Sequence, residues 1–275
     1  MVPGAFNALA ARMAERAGFQ AAYLSGAALS AGLAAIPDVG LLTLSEVAEQ
    51  TRYITAAVTV PLIVDADTGF GEPVNVERTV RSLEAAGAAA VQIEDQRLPK
   101  RCGHLSGKEL ISTEEMVAKV RAAAAARRDR DFVIIARTDA RGGSGFDDAV
   151  GRARTYREAG ADMVFPEALE SPDEFARFRR AVDGPLVANM TEFGKSPLLP
   201  FDELASIGYA LVLYPVTLLR LAMKAVAAGL DEIRRTGTQA NLIGHMLTRQ
   251  ELYEILGYTE YDRRDQSYSH PPHQT

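Results

Sequence analysis

The run Lys100-Arg101-Cys102-Gly103-His104 sets the only cysteine of the 275-residue chain among cations, shortly after Ile93-Glu94-Asp95 at the end of an apolar stretch. A lone cysteine in a soluble protein is ordinarily an inert small hydrophobe. Here the flanking cations favour thiolate and can draw the thiol pKa from about 8.5 toward neutrality, where it exchanges protons with a substrate. The acidic pair upstream adds to the case for a reactive site. Lys100 is then a candidate for holding the thiol's protonation state, and His104 for positioning the segment or pairing with Glu167. A second set of residues is acidic. Asp65 and Asp67 stand two apart in Val64-Asp65-Ala66-Asp67-Thr68-Gly69-Phe70-Gly71, so on a strand their side chains share a face, and Glu94 from the adjacent strand can join them. These are hard oxygen donors, with no cysteine pair or His-x-x-x-His spacing beside them. They favour Mg²⁺, with Mn²⁺ as a substitute.

Positioning such groups together requires a scaffold, and the chain alternates short apolar runs with helical segments. Runs at 21–25, 61–67, 90–95, 132–139, 163–168, 185–190 and 209–215 read as parallel strands buried on both faces. A first strand at 2–6 completes eight β/α units, so the expected fold is α/β, a single (β/α)8 barrel of the TIM type. Ser112 and Ser171, each with Glu three positions on, predict helix N-caps. Gly87 and Gly160 close predicted helices at 76–86 and 147–159. Polar residues recur at the strand ends: Ser25, Asp65, Asp67, Glu94, Asp95, Arg137, Asp139, Glu167, Asn189 and Thr191. In a barrel those ends form one rim, where active sites are built. The expected organisation is one barrel domain over 1–260, including C-terminal helices, and a flexible polar tail over 261–275.

Composition excludes other classes. Hydrophobic residues make up 47% of the chain, enough for a large core, and one cysteine fits a reducing cytoplasm rather than a disulfide framework. No basic segment followed by an apolar one opens the chain, and no run reaches the length of a membrane helix, so a soluble, unexported protein is expected. A net charge of −6 without a basic stripe argues against nucleic acid as a partner.

Asp65-Ala66-Asp67-Thr68-Gly69-Phe70-Gly71, Ile93-Glu94-Asp95-Gln96 and Lys100-Arg101-Cys102-Gly103-His104 together resemble the isocitrate lyase/phosphoenolpyruvate mutase superfamily, the last run being specific to its carbon–carbon lyase branch. Supporting stretches are Tyr23-Leu24-Ser25-Gly26, Ile36-Pro37-Asp38-Val39-Gly40, Phe165-Pro166-Glu167-Ala168, Asn189-Met190-Thr191-Glu192-Phe193-Gly194 and Leu213-Tyr214-Pro215. The resemblance implies Mg²⁺-dependent, retro-aldol cleavage of 2-methylisocitrate to pyruvate and succinate. It implies that Ser25, Gly26 and Ala27 hold the α-keto-acid half, and that Asp65 and Asp67 hold Mg²⁺ with Asp38 and Glu94 behind bound waters. Cys102 and Gly103 would ride a mobile loop, with Cys102 as the acid that protonates carbon and Tyr23 as the base. Arg137, Glu167, Asn189, Met190, Thr191, Arg220 and Arg249 would contact or orient carboxylates, while Phe165, Leu213 and Pro215 leave room for the methyl group. Arg137 would also stabilise the aci-carboxylate that forms on the succinate half. Relatives suggest a homotetramer that exchanges the last barrel helix, here 218–235, with Leu221, Ala225 and Ala228 at positions suited to burial. Ala27 departs from the second glycine of many relatives, and the N-terminus is shorter than usual because relatives carry a helix before the first strand. The alternatives within the superfamily are cleavage of 2,3-dimethylmalate, decarboxylation of oxaloacetate and carboxyphosphonoenolpyruvate phosphonomutase chemistry. Outside it stands a non-catalytic dicarboxylate-binding barrel.

Overall fold

The computed structural model describes residues 1–105 and 107–269, which fall into two compact units, Met1–Arg220 and Leu221–Thr275. Eight short strands build the first unit: β1 Val2–Pro3, β2 Ala22–Leu24, β3 Leu62–Asp65, β4 Ala90–Glu94, β5 Val133–Thr138, β6 Met163–Pro166, β7 Val187–Asn189 and β8 Leu211–Tyr214. All pair in parallel, in two arcs ordered β2-β3-β4-β5-β6 and β7-β8-β1. Parallel bridges Gly4↔Tyr23 and Val164↔Leu186 join the arcs, so strand order around the ring follows chain order. Val2, Tyr23, Ile63, Ala90, Ile135, Met163, Phe165, Val187 and Leu213 pack as one buried cluster with at least one side chain from every strand. An interior fed by all eight strands is the layered packing of a (β/α)8 barrel, the fold expected from the sequence.

Strand alternation then decides which rim residues face inward. Stepping by two from the interior cluster leads from Tyr23 to Ser25, from Ile63 to Asp65 and from Ala90 through Gln92 to Glu94. The same step leads from Ile135 to Arg137, from Phe165 to Glu167, from Val187 to Asn189 and from Leu213 to Pro215. The opposite parity, including Leu24, Val64, Val91, Ile93 and Ile134, packs outward against Val47, Ile54, Val76, Leu83, Met116 and Val120 of the surrounding helices.

The helix ends follow their sequence signals, with two differences. Ser112 caps Thr113–Ala126 in a reciprocal box with Glu115. Ser171 caps Pro172–Ala181 by accepting from the Glu174 N–H, but the Glu174 carboxylate is taken by Arg141 and the Glu170 N–H, so the reciprocal half does not form. The helix expected from 76 begins earlier, at Pro73–Ala85, because proline is compatible with the first helical turn.

The second unit comprises the rest of the helix Thr217–Thr236, a 3-10 turn at Ala240–His245 and the helices Arg249–Leu256 and Tyr258–Ser269. The tail expected to be loose from 261 is helical to Ser269, where Glu260 pairs with Arg263 at 2.7 Å and Gln266 donates to Asp262 at 2.9 Å. Residues 270–275 of that expected tail lie outside the described residues. Leu221, Ala225 and Ala228, expected to be buried, are exposed in the single chain. Among the described residues no helix is long and apolar enough to cross a membrane.

Candidate active site

A cavity opens at the C-terminal ends of the strands, lined by Tyr23, Ser25, Ala27, Asp38, Asp65, Cys102, Gly103, His104, Arg137, Phe165, Glu167, Asn189, Thr191, Leu213, Pro215 and Val216. All belong to the first unit. At about 50 Å³ the space is far below the several hundred Å³ of typical ligand sites. A substrate therefore needs more room than this arrangement leaves.

Arg137 is the electrostatic centre. Its guanidinium donates to Asp139 through Nε at 3.0 Å and Nη2 at 3.1 Å, a two-point grip that fixes the plane of the fork. Nη1 lies 3.1 Å from Glu94 Oε2, and Nη2 lies 3.4 Å from Glu167 Oε2. The cation also stands over the Phe165 ring, 5.3 Å from its centroid. Burial works against the charge, but Asp139, Glu94 and Glu167 outweigh it and hold Arg137 protonated well above its ordinary range. Burial pushes Glu167 up, yet Arg137 and His104 overcome it and bring this carboxyl below its usual range. Glu94 behaves oppositely: burial dominates and raises it, and neither carboxylate oxygen has an aligned hydrogen-bond donor despite the nearby guanidinium.

The Cys102 segment folds over this centre through four contacts. The Gln96 side chain accepts from the Arg101 N–H at 2.9 Å and donates to the Arg101 carbonyl at 2.8 Å. Lys108 reaches back into the interior, donating to Asp139 Oδ1 at 2.7 Å and to the Gly103 carbonyl. His104 Nδ1 accepts from the Lys195 N–H at 2.9 Å, which assigns the ring proton to Nε2, 2.8 Å from Glu167 Oε1. Gly103 presses against Arg137 and Glu167 so closely that a Cβ would collide with both side chains. Asp139 is itself held by its N–H donating to Asp95 Oδ1 at 2.9 Å, while Asp95 Oδ2 accepts from Tyr156 at 2.9 Å.

Several expected residues take places other than those the sequence suggested. Tyr23 donates its hydroxyl to Gln92 Oε1 at 2.7 Å, and burial together with Asp65 raises its pKa well above the ordinary value. In this arrangement the phenol is a hydrogen-bond donor to Gln92, whereas the resemblance implied a base. The Met190 side chain points out of the barrel into the helix-facing core, its sulfur accepting from the Leu199 N–H, so only its backbone reaches the rim. Arg220 pairs with Glu192 at 2.6 Å outside the cavity lining, and Arg249 is an exposed residue of the second unit. Gly26 donates its N–H to Asp65 Oδ2 at 3.0 Å, next to the Ser25 cap of the helix Gly26–Ala34. Asn189 donates to both Glu167 oxygens at 3.2 Å and keeps a buried Oδ1 without a donor.

The four acidic residues expected around a metal do not close into a ligand cluster. Among the described residues no group of three His, Cys, Asp or Glu side chains is arranged to hold a metal ion. The Lys100 ammonium stands between Asp38 and Asp67 instead, 2.6 Å from Asp67 Oδ1. Burial raises Asp67 to about 6 despite that cation. Lys108, Gln92 and Val216 are site residues that the sequence did not mark as such.

With this geometry in place, the comparisons with known proteins are specific. The family model of phosphoenolpyruvate phosphomutase matches residues 1–234. The chain is 57% identical to the 2-methylisocitrate lyase of Aeropyrum pernix, over 96% of this chain and 85% of that protein. A crystal structure of 2,3-dimethylmalate lyase, described as a PEP mutase/isocitrate lyase superfamily member, superposes with a TM-score of 0.92 at 35% identity, covering 97% of this chain and 89% of the other. A phosphonopyruvate hydrolase in complex with oxalate and Mg²⁺ superposes with a TM-score of 0.89 at 37% identity, covering 98% and 94%. From the barrel, the rim geometry and these matches it follows that the chain belongs to the phosphoenolpyruvate phosphomutase family, within the PEP mutase/isocitrate lyase superfamily.

Proposed function

We propose that the protein is a Mg²⁺-dependent carbon–carbon lyase that cleaves 2-methylisocitrate to pyruvate and succinate. The observation that carries this reading is one cavity in which the Cys102 thiol and the Arg137 guanidinium face an apolar wall of Phe165, Leu213 and Pro215. The likeness to the Aeropyrum pernix lyase supports the substrate. The protein is proposed to act in the cytoplasm.

The donor set fits a hard divalent ion. Glu94 has two buried oxygens without aligned donors, and Asp38, Asp65 and Asp67 add only carboxylate oxygens. Asp65 and Asp67 would hold Mg²⁺ directly, with Asp38 and Glu94 through water, and Mn²⁺ would substitute. When bound, the ion acidifies the substrate hydroxyl and neutralises its neighbouring carboxylate. The protein supplies the rest. Asp38, in the cavity wall, can accept the hydroxyl proton. Ser25 and Ala27, at the start of the helix Gly26–Ala34, offer that helix's positive end to the keto-acid carboxylate. As the C2–C3 bond breaks, its electron pair moves into the succinate half as an aci-carboxylate, and Arg137 faces that developing charge. Cys102 then delivers its proton to carbon, completing succinate. His104 and Lys108 hold the loop closed meanwhile and exclude water.

Pyruvate release from 2-methylisocitrate, isocitrate and 2,3-dimethylmalate, measured in parallel with Mg²⁺, tests the assignment. The expected kcat/KM preference for 2-methylisocitrate is about tenfold or more, the value of a methyl group in an apolar pocket. Equal or better cleavage of 2,3-dimethylmalate would reassign the substrate. A homotetramer is also proposed. Leu221, Met223, Val226, Leu230 and Ile233 lie exposed along Thr217–Thr236, a stripe that exchange of this helix between subunits would cover. Light scattering is expected to give four chains per particle, and a monomer would refute the exchange.

A further inference from the structure

We infer that Lys100 is a tethered cation that occupies the carboxylate site until a divalent ion displaces it, so that loading the ion frees the segment carrying Cys102. The inference rests on the reading of Asp38, Asp65, Asp67 and Glu94 as the metal-holding set. Lys100 is buried although its neighbour in the run is not: Arg101 is exposed, whereas the Lys100 side chain is only 3% exposed. A buried ammonium requires compensating charge, and Asp38 and Asp67 both pair with it, the latter at 2.6 Å. The pairing places one positive charge where four carboxylates otherwise repel each other, and it explains why those carboxylates do not form a ligand cluster.

The lysine and the ion make the same contacts with the same oxygens, so they exclude each other from Asp67. Lys100 is held near the site by its own backbone, which gives it a high local concentration, while a divalent ion brings twice the charge. One residue, Arg101, separates Lys100 from Cys102, and beyond Lys100 the segment is held by the Gln96 clamp on Arg101 and by the His104 and Lys108 contacts. Withdrawal of Lys100 removes the buried anchor at the N-terminal end of that segment. Lys100 is thus a positioning residue, and the thiol's mobility depends on which cation the carboxylates hold.

Two readouts on the full-length protein test this without recourse to turnover. Mn²⁺ binding followed by electron paramagnetic resonance should be about tenfold or more tighter in Lys100→Met than in the parent, because a competing unit charge at contact distance is gone. The rate of Cys102 alkylation by iodoacetamide should rise several-fold when the parent protein is saturated with Mg²⁺. In Lys100→Met that rate should be high already and insensitive to the ion. Equal Mn²⁺ affinity in the two proteins would overturn the inference while leaving the metal reading intact. Absence of Mn²⁺ binding in both would overturn the two together. An alkylation rate in the parent that does not change with Mg²⁺ would overturn the coupling to the loop, and this measurement needs no variant.

Discussion

Arg137→Leu is expected to abolish detectable cleavage and to destabilise the barrel by about 3–5 kcal/mol, the usual cost of removing one partner from a buried ion network. The guanidinium serves three carboxylates at once: Asp139 by a two-point grip, Glu94 at 3.1 Å and Glu167 at 3.4 Å. A leucine fills similar volume but leaves those groups buried without their counter-charge. Thermal unfolding should therefore shift down by roughly 6–20 °C, at about 2–4 °C per kcal/mol for a unit of this size. Arg137→Lys separates the two roles. It keeps the charge and should recover much of the stability, but a single ammonium cannot reproduce the fork, so cleavage should remain severely impaired. An Arg137→Leu protein that melted with the parent would show that the carboxylates do not depend on this cation.

Cys102→Ala should behave in the opposite way, lowering kcat by about 10²–10⁴-fold, the range for loss of a positioned proton donor, while the melting temperature stays within a degree or two. The thiol is only half-buried and takes no part in the ion network that holds the segment, so its removal disturbs little structure. KM should change less than kcat, because the side chain acts on the departing carbanion rather than on the bound substrate. Turnover equal to the parent would remove Cys102 from the acid role.

Much of this site was legible because a barrel obeys a period of two. Once the strands were recognised as buried apolar runs, Asp65, Glu94, Arg137, Glu167 and Asn189 fell on the inward parity at the strand ends. The same rule turns the Met190 side chain toward the helices, because it sits between Asn189 and Thr191; a resemblance transfers stretches, whereas alternation sorts their side chains. Lys108 was invisible for a different reason. A lysine after glycine in a polar loop reads as solvated, and only the folded chain brings its ammonium to Asp139 and the Gly103 carbonyl. Lys100 was read as a regulator of the thiol, yet its partners are carboxylates from residues 38 and 67, a pairing that no local spacing encodes. Tyr23 carried the right polarity and reach for a base, but its protonation depends on burial beside Asp65, which is a property of the packed interior.

Asp139 gives the closed loop and the stabilising arginine a common bearing. Its one carboxylate takes Lys108 from the loop and both nitrogens of the Arg137 fork, and its own backbone is pinned by Asp95. A lid that seats badly therefore also misaims the positive charge beneath it. Under the proposed mechanism, admission of water and loss of carbanion stabilisation would be a single fault, and an imperfectly closed enzyme would be idle rather than release a half-formed intermediate to solvent. Grafting a foreign loop onto this barrel would have to supply a lysine at the same reach, or the carboxylate that grips Arg137 would lose one of its partners.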